Sequence, residues 1–246
     1  MNGFRPGLWA CLLLSCCGCG CAFGAEPEGK KERPLPPLAD GLEGLGFSIA
    51  PKEGGKARTS LFGVTGEGYK FVYVFDRSGS MGGAGRTALR AVKAELLQSL
   101  KNLDTVHQFQ IIFYNERPVI FNPTGTPGRL AFANEQNKQR AVRFVESITA
   151  EGGTDHEEAL KLAIRLQPDV IFFLTDADDP KLSPAQLEKI QSMAAGIVIN
   201  AIEFGTGPQP ERDSFLAQLA RQNGGQYAYV DLSKRAGAWQ TPGNVR

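Results

Sequence analysis

Four apolar runs constrain this chain more than anything else in it: KFVYVF at 70–75, FQIIFYN at 109–115, VIFFLT at 170–175 and IVINAIEF at 197–204. A strand with one wet face alternates apolar and polar residues, and these runs do not. Each predicts a strand buried on both faces, which calls for a mostly parallel sheet between two layers of helices.

The intervening segments have the matching helical spacing. Leu89, Val92, Leu96 and Leu100 recur three and four residues apart, and further helices are expected near 136–147, 155–166, 184–195 and 212–222. PVIFN follows the second run after about three residues, too short for a helical crossover, so it predicts an antiparallel edge strand. With QYAYVDL near the end, the order is βαββααβαβαβ. The fold class is therefore α/β: a doubly wound, mostly parallel six-stranded sheet in the order 3-2-1-4-5-6, with helices on both faces.

Charge narrows the function classes. Lys plus Arg number 27 against 26 Asp plus Glu, a formal net charge of +1, which removes any bulk electrostatic case for nucleic acid or an anionic membrane. All five cysteines fall between Cys11 and Cys21, so no disulfide is expected in the folded part. Residues 1–25 read as an export signal whose apolar run is too short for a comfortable membrane span. Two processing outcomes stay open: plain cleavage near Ala25, or lipidation at Cys16, because LLSC resembles a bacterial lipobox. The expected location is the periplasm, the cell envelope or the exterior. Residues 26–66, rich in Pro, Gly and charge, read as a linker, 67–233 as the domain and 234–246 as a flexible tail.

The chemistry concentrates in FVYVFDRSGSMGGAGRT, 71–87, where a strand ends in an aspartate and a Gly/Ser turn leads into a helix. A phosphate-binding P-loop needs Gly-x4-Gly-Lys-Ser/Thr there. In SMGGAGRT the first glycine is Ser80 and the lysine is Arg86, and a guanidinium does not replace an ammonium. The oxygens tell a different story. Asp76, Ser78 and Ser80 alternate at the strand exit, so an extended turn can aim all three to one side. Thr154 in EGGTD opens a helix, and Asp176 ends VIFFLTD. Asp76 and Asp176 close the first and fourth strands, neighbours where the strand order reverses, and ligands of open α/β sheets sit at that reversal.

DRSGSM, GGT and LTD, in this order and spacing, resemble the metal-ion-dependent adhesion site of the von Willebrand factor A-type domain, over about residues 68–233. The resemblance implies that Ser78, Ser80 and Thr154 ligate a divalent ion through hydroxyls while Asp76 and Asp176 act through bound waters. Ala177 stands where the family often has glycine. The implied ion is Mg2+, with Mn2+ or Ca2+ as substitutes, and the implied partner is a protein that supplies an Asp or Glu carboxylate to a monomeric domain. Independent chemistry agrees: neutral hydroxyls leave a hard ion's charge poorly neutralised, and the helix starting near Thr87 directs its N–H groups to the same rim.

No catalytic residue is assigned. Ser80 lacks the glycine pattern of a hydrolase elbow, and neither His107 nor His156 stands out as a base. His156 reads as a solvated residue of a first helical turn, and Asp178 and Asp179 as ordinary loop polarity. Metal-dependent phosphoester hydrolysis is the alternative from another class, and a P-loop NTPase ranks behind it.

Overall fold

A hairpin opens the described chain, inside the stretch expected to be linker. Strands β1 (Ala57–Leu61) and β2 (Val64–Gly68) pair antiparallel. The turn between them places Phe62 at φ 51° and Gly63 at φ 88°, the double positive φ that suits strand twist in a two-residue hairpin loop. A phenylalanine at positive φ is strained. Its ring offsets this by meeting Phe204 edge-on at 5.0 Å. Leu61 and Val64 are fully packed into the core. Gly66, which reads as linker composition, is a close approach instead: a Cβ there would fall 2.7 Å from Val170 Cγ1. The packed body therefore begins near residue 57 rather than 67. The computed structural model describes residues 54–82, 87–177, 180–209 and 214–234; the expected signal, the linker up to residue 53 and the tail from 235 lie outside them.

Strand β3 (Lys70–Asp76) is the centre of the main sheet. It pairs parallel with β4 (Gln108–Tyr114) on one side and with β7 (Val170–Thr175) on the other. Beyond β7 lie β8 (Val198–Gly205) and β9 (Tyr227–Asp231), both parallel. Beyond β4 lies β5 (Val119–Ile120), antiparallel, and β4 also pairs with β6 (Ala131–Phe132), a two-residue strand not foreseen in the sequence. The order β5-β4-β3-β7-β8-β9 is the expected 3-2-1-4-5-6 with β6 added.

Alternation along β3 explains its unbroken apolar sequence. Phe71, Tyr73 and Phe75 face one layer with the hairpin, α1 (Thr87–Lys101) and α2 (Glu135–Ser147), whereas Val72 and Val74 face α3 (His156–Arg165), α4 (Pro184–Met193) and α5 (Phe215–Gln222). Each such fully buried side chain contributes about 1.5–3 kcal/mol. The helices begin where cap chemistry allows. Asn134, Asp155, Ser183 and Ser214 each accept a backbone N–H of the first turn, and Ser183 with Gln186 completes a reciprocal capping box.

Candidate metal-binding site

Strand register puts the chemistry at one end of the sheet. Asp76 is the last residue of β3 and lies level with Tyr114 at the end of β4, while Phe75 opposite Leu174 sets Asp76 beside Thr175 of β7. Asp76 is fully buried. Its Oδ1 accepts the Ser78 N–H at 2.7 Å and its Oδ2 accepts the Thr175 hydroxyl at 2.6 Å. The Thr175 oxygen in turn accepts the Ala177 N–H at 3.1 Å, so its proton is committed to the carboxylate. Folding an aspartate into this position costs free energy unless such donors hold it.

The turn bonded to Asp76 presents the hydroxyls. Ser78 and Ser80 stand 3.1 Å apart, Oγ to Oγ. Ser78 is buried and Ser80 exposed, which leaves acceptor capacity facing outward. Residues 79–82 wind into a 3-10 turn anchored by the buried Met81.

Two backbone bonds zip the GGT loop onto this turn: Gly79 N–H to Gly152 O at 3.0 Å and Glu151 N–H to Arg77 O at 2.8 Å. Asn115 grips the same loop from β4, donating through Nδ2 to Glu151 O and accepting the Asp155 N–H on its own carbonyl. Gly152 has φ 76°, and a Cβ there would lie 2.8 Å from Asn115 Nδ2. A side chain would open the loop. Thr154, half-buried, lies on a loop fixed on both flanks. Thr154 also lines a cavity of about 400 Å³ with Glu116, Glu157 and Lys181. Asp176, half-buried, follows directly on β7. The structure therefore brings Asp76, Ser78 and Ser80 into one turn and sets Thr154 and Asp176 on the two loops beside it.

Ala177 follows with φ 58°, the left-handed region that costs a residue with a Cβ roughly 1–2 kcal/mol and glycine nothing. That is the physical content of the departure from the family glycine. His156 is not solvated as expected. It is buried against Tyr114, Phe173 and Phe215, with Nδ1 2.9 Å from the Tyr114 hydroxyl. Tyr114 is held well above the ordinary phenol range, first by burial and then by the Asp76 charge. Thr175, Asn115 and Tyr114 were not singled out in the sequence. Their role depends on which strand ends meet, and only their places at the ends of apolar runs could have hinted at it.

The donor chemistry suits a hard cation. Hydroxyls and carboxylates supply oxygen, and among the described residues no cluster of three or more His, Cys, Asp or Glu could hold a metal.

Residues 71–178 match the family described as von Willebrand factor type A domain. Over that stretch the chain is similar to von Willebrand factor type A domains. Inter-alpha-trypsin inhibitor heavy chain H4 of Homo sapiens is 26% identical over 181 residues, covering 66% of this chain and 18% of the relative. The bovine (Bos taurus) protein of the same name is 25% identical over 169 residues, again spanning only 18% of its length. Among solved structures, a von Willebrand factor type A protein from Catenulispora acidiphila superposes with a TM-score of 0.58 at 22% identity, covering 72% of this chain and 42% of that one. BatB from Bacteroides thetaiotaomicron superposes at 0.51 with 19% identity, covering 70% and 96%. At these identities the two structures speak for the fold.

Proposed function

We propose that this von Willebrand factor A domain is an interaction module, not an enzyme, that binds a divalent cation, Mg2+ before Mn2+ or Ca2+. Ser78, Ser80 and Thr154 hold the ion through their hydroxyls, with Asp76 and Asp176 behind them. The ion bridges to an Asp or Glu of a partner protein. One observation carries the reading: a fully buried Asp76, both oxygens already engaged, roots a turn whose Ser78 and Ser80 hydroxyls lie side by side. A buried anion behind neutral hydroxyls attracts a dication yet leaves it electron-poor on the outer side. The first turn of α1 has no acidic residue to oppose an incoming carboxylate.

We assign the protein to the exported class on the N-terminal segment, with lipidation at Cys16 as its anchored form. No helix among the described residues is long and apolar enough to cross a membrane.

The test is calorimetric titration of Mg2+ and Mn2+ into wild type, Asp76→Ala and Ser80→Ala, each checked for folding. Saturable binding lost in both variants supports the site, and capture of a partner that chelation abolishes supports the bridge. Absence of binding to wild type sinks the reading. Metal-dependent turnover of a generic phosphoester would replace it with the hydrolase.

A further inference from the structure

Resting on that metal reading, we propose that Arg77 is a positioning residue for the ion: its guanidinium latches the 149–152 loop to the turn carrying Ser78 and Ser80, and Glu151 neutralises it. Arg77 sits between two of the site residues, yet its side chain turns away from them and is only 9% exposed. Its Nη1 donates to Glu151 Oε1 at 2.9 Å and to Thr149 O at 3.3 Å. Its backbone N–H donates to Tyr114 O, and its carbonyl accepts the Glu151 N–H, both at 2.8 Å. One residue thus ties the exits of β3 and β4 to the loop that delivers Thr154. The strands alone do not fix that loop.

Two consequences follow for an ion. First, the donors come from separate segments, and an ion gains affinity when those segments are ordered before it arrives. Second, a buried guanidinium next in sequence to Ser78 repels a dication unless its charge is answered. Glu151 answers it, with a side chain 66% exposed. The carboxylate can therefore be removed without opening the core.

The experiment is Mn2+ titration of the full chain, wild type beside Glu151→Gln, Arg77→Lys and Arg77→Met, with thermal melting of each ion-free protein. Glu151→Gln is expected to melt close to the wild type, because the amide oxygen still accepts from the guanidinium, Thr149 O holds its other bond and the substituted side chain is itself exposed, and to bind Mn2+ about tenfold more weakly, in the range of outer-shell substitutions. The gap narrows at high salt. Arg77→Met is expected to lose about 10–100-fold, and Arg77→Lys, which keeps the charge but not the fork, falls between. Wild-type binding with Glu151→Gln and Arg77→Met unchanged overturns the latch alone. So does a loss confined to Arg77→Met that matches its lowered melting, which makes Arg77 a structural prop. A wild type that binds no Mn2+ overturns the metal reading, and the latch goes with it.

Discussion

Two buried polar networks hang from the same strand and differ in one respect. Inside the sheet, the Tyr73 hydroxyl meets Ser99 Oγ at 2.8 Å, Ser99 Oγ meets Thr59 Oγ1 at 2.6 Å, and Thr59 bonds the Ser99 carbonyl. These three members are neutral and buried, and at the edge the exposed Asn102 donates to Thr59 Oγ1 at 3.4 Å. Three residues further along β3, Asp76 roots a second network through Thr175 and Ser78 that ends in the exposed Ser80. The inner network locks the hairpin to α1 through neutral groups. The open one has a charge at its root and spare oxygens at its rim. Distance from the strand end separates structure from function here.

The comparison breaks most visibly at the hairpin. Leu61→Ala, at a fully buried site, is expected to cost about 2–5 kcal/mol in urea denaturation, and a protein truncated at residue 67 should fare no better. If Leu61→Ala were neutral, the hairpin would be an appendage. Ser99→Ala strands the Tyr73 hydroxyl, while Thr59 keeps its bond to the carbonyl of residue 99, and is expected to cost about 1–3 kcal/mol with metal affinity untouched. Thr175→Val does the converse at the open network: calorimetry should show about tenfold weaker metal binding with a smaller change in stability. Equal effects of these two on both readouts would erase the distinction. Ala177→Gly relieves the left-handed strain and is expected to stabilise by about 0.5–1 kcal/mol, net of the glycine's added freedom in the unfolded chain.

The smallest effect concerns acid. Lys161, Gln186 and Lys189 hold Glu157 down from its ordinary 4.5 to about 2; Gln186 at 2.7 Å and Lys189 at 3.2 Å staple α3 to α4, and Lys161 of α3 itself adds a contact of 2.7 Å. A carboxylate depressed on folding stabilises above its unfolded value, and that contribution fades as pH falls from about 4.5 towards 2. Glu157→Gln should flatten this limb of a melting-versus-pH curve. An unchanged limb would show that the staple contributes nothing.

Much of this was legible beforehand. The strand order followed from unbroken apolar runs and one connection too short to cross over, since both are local consequences of burial and chain length. Asp76, Ser78 and Ser80 could be found together because period-two spacing is itself geometric. The hairpin was not legible. ARTSLFGVTGEG has the glycines of a linker, and only the approach of Gly66 to Val170 and of Gly68 to Asp169 reveals two of them as packing. His156 misled for the same reason: a first-turn histidine is usually wet, and this one is covered by aromatic rings from β4, β7 and α5.

The sequence by itself determined the elements, their order and the oxygen donors, because hydrophobic periodicity and residue chemistry act over a few neighbours. Only tertiary structure decided that Thr175 would hold Asp76 from 99 residues away, that Arg77 would turn from the site to clasp Glu151, and that Ala177 would sit in a glycine's conformation. Hydrogen bonds and ion pairs between distant segments exist only once the sheet register sets which strand ends meet.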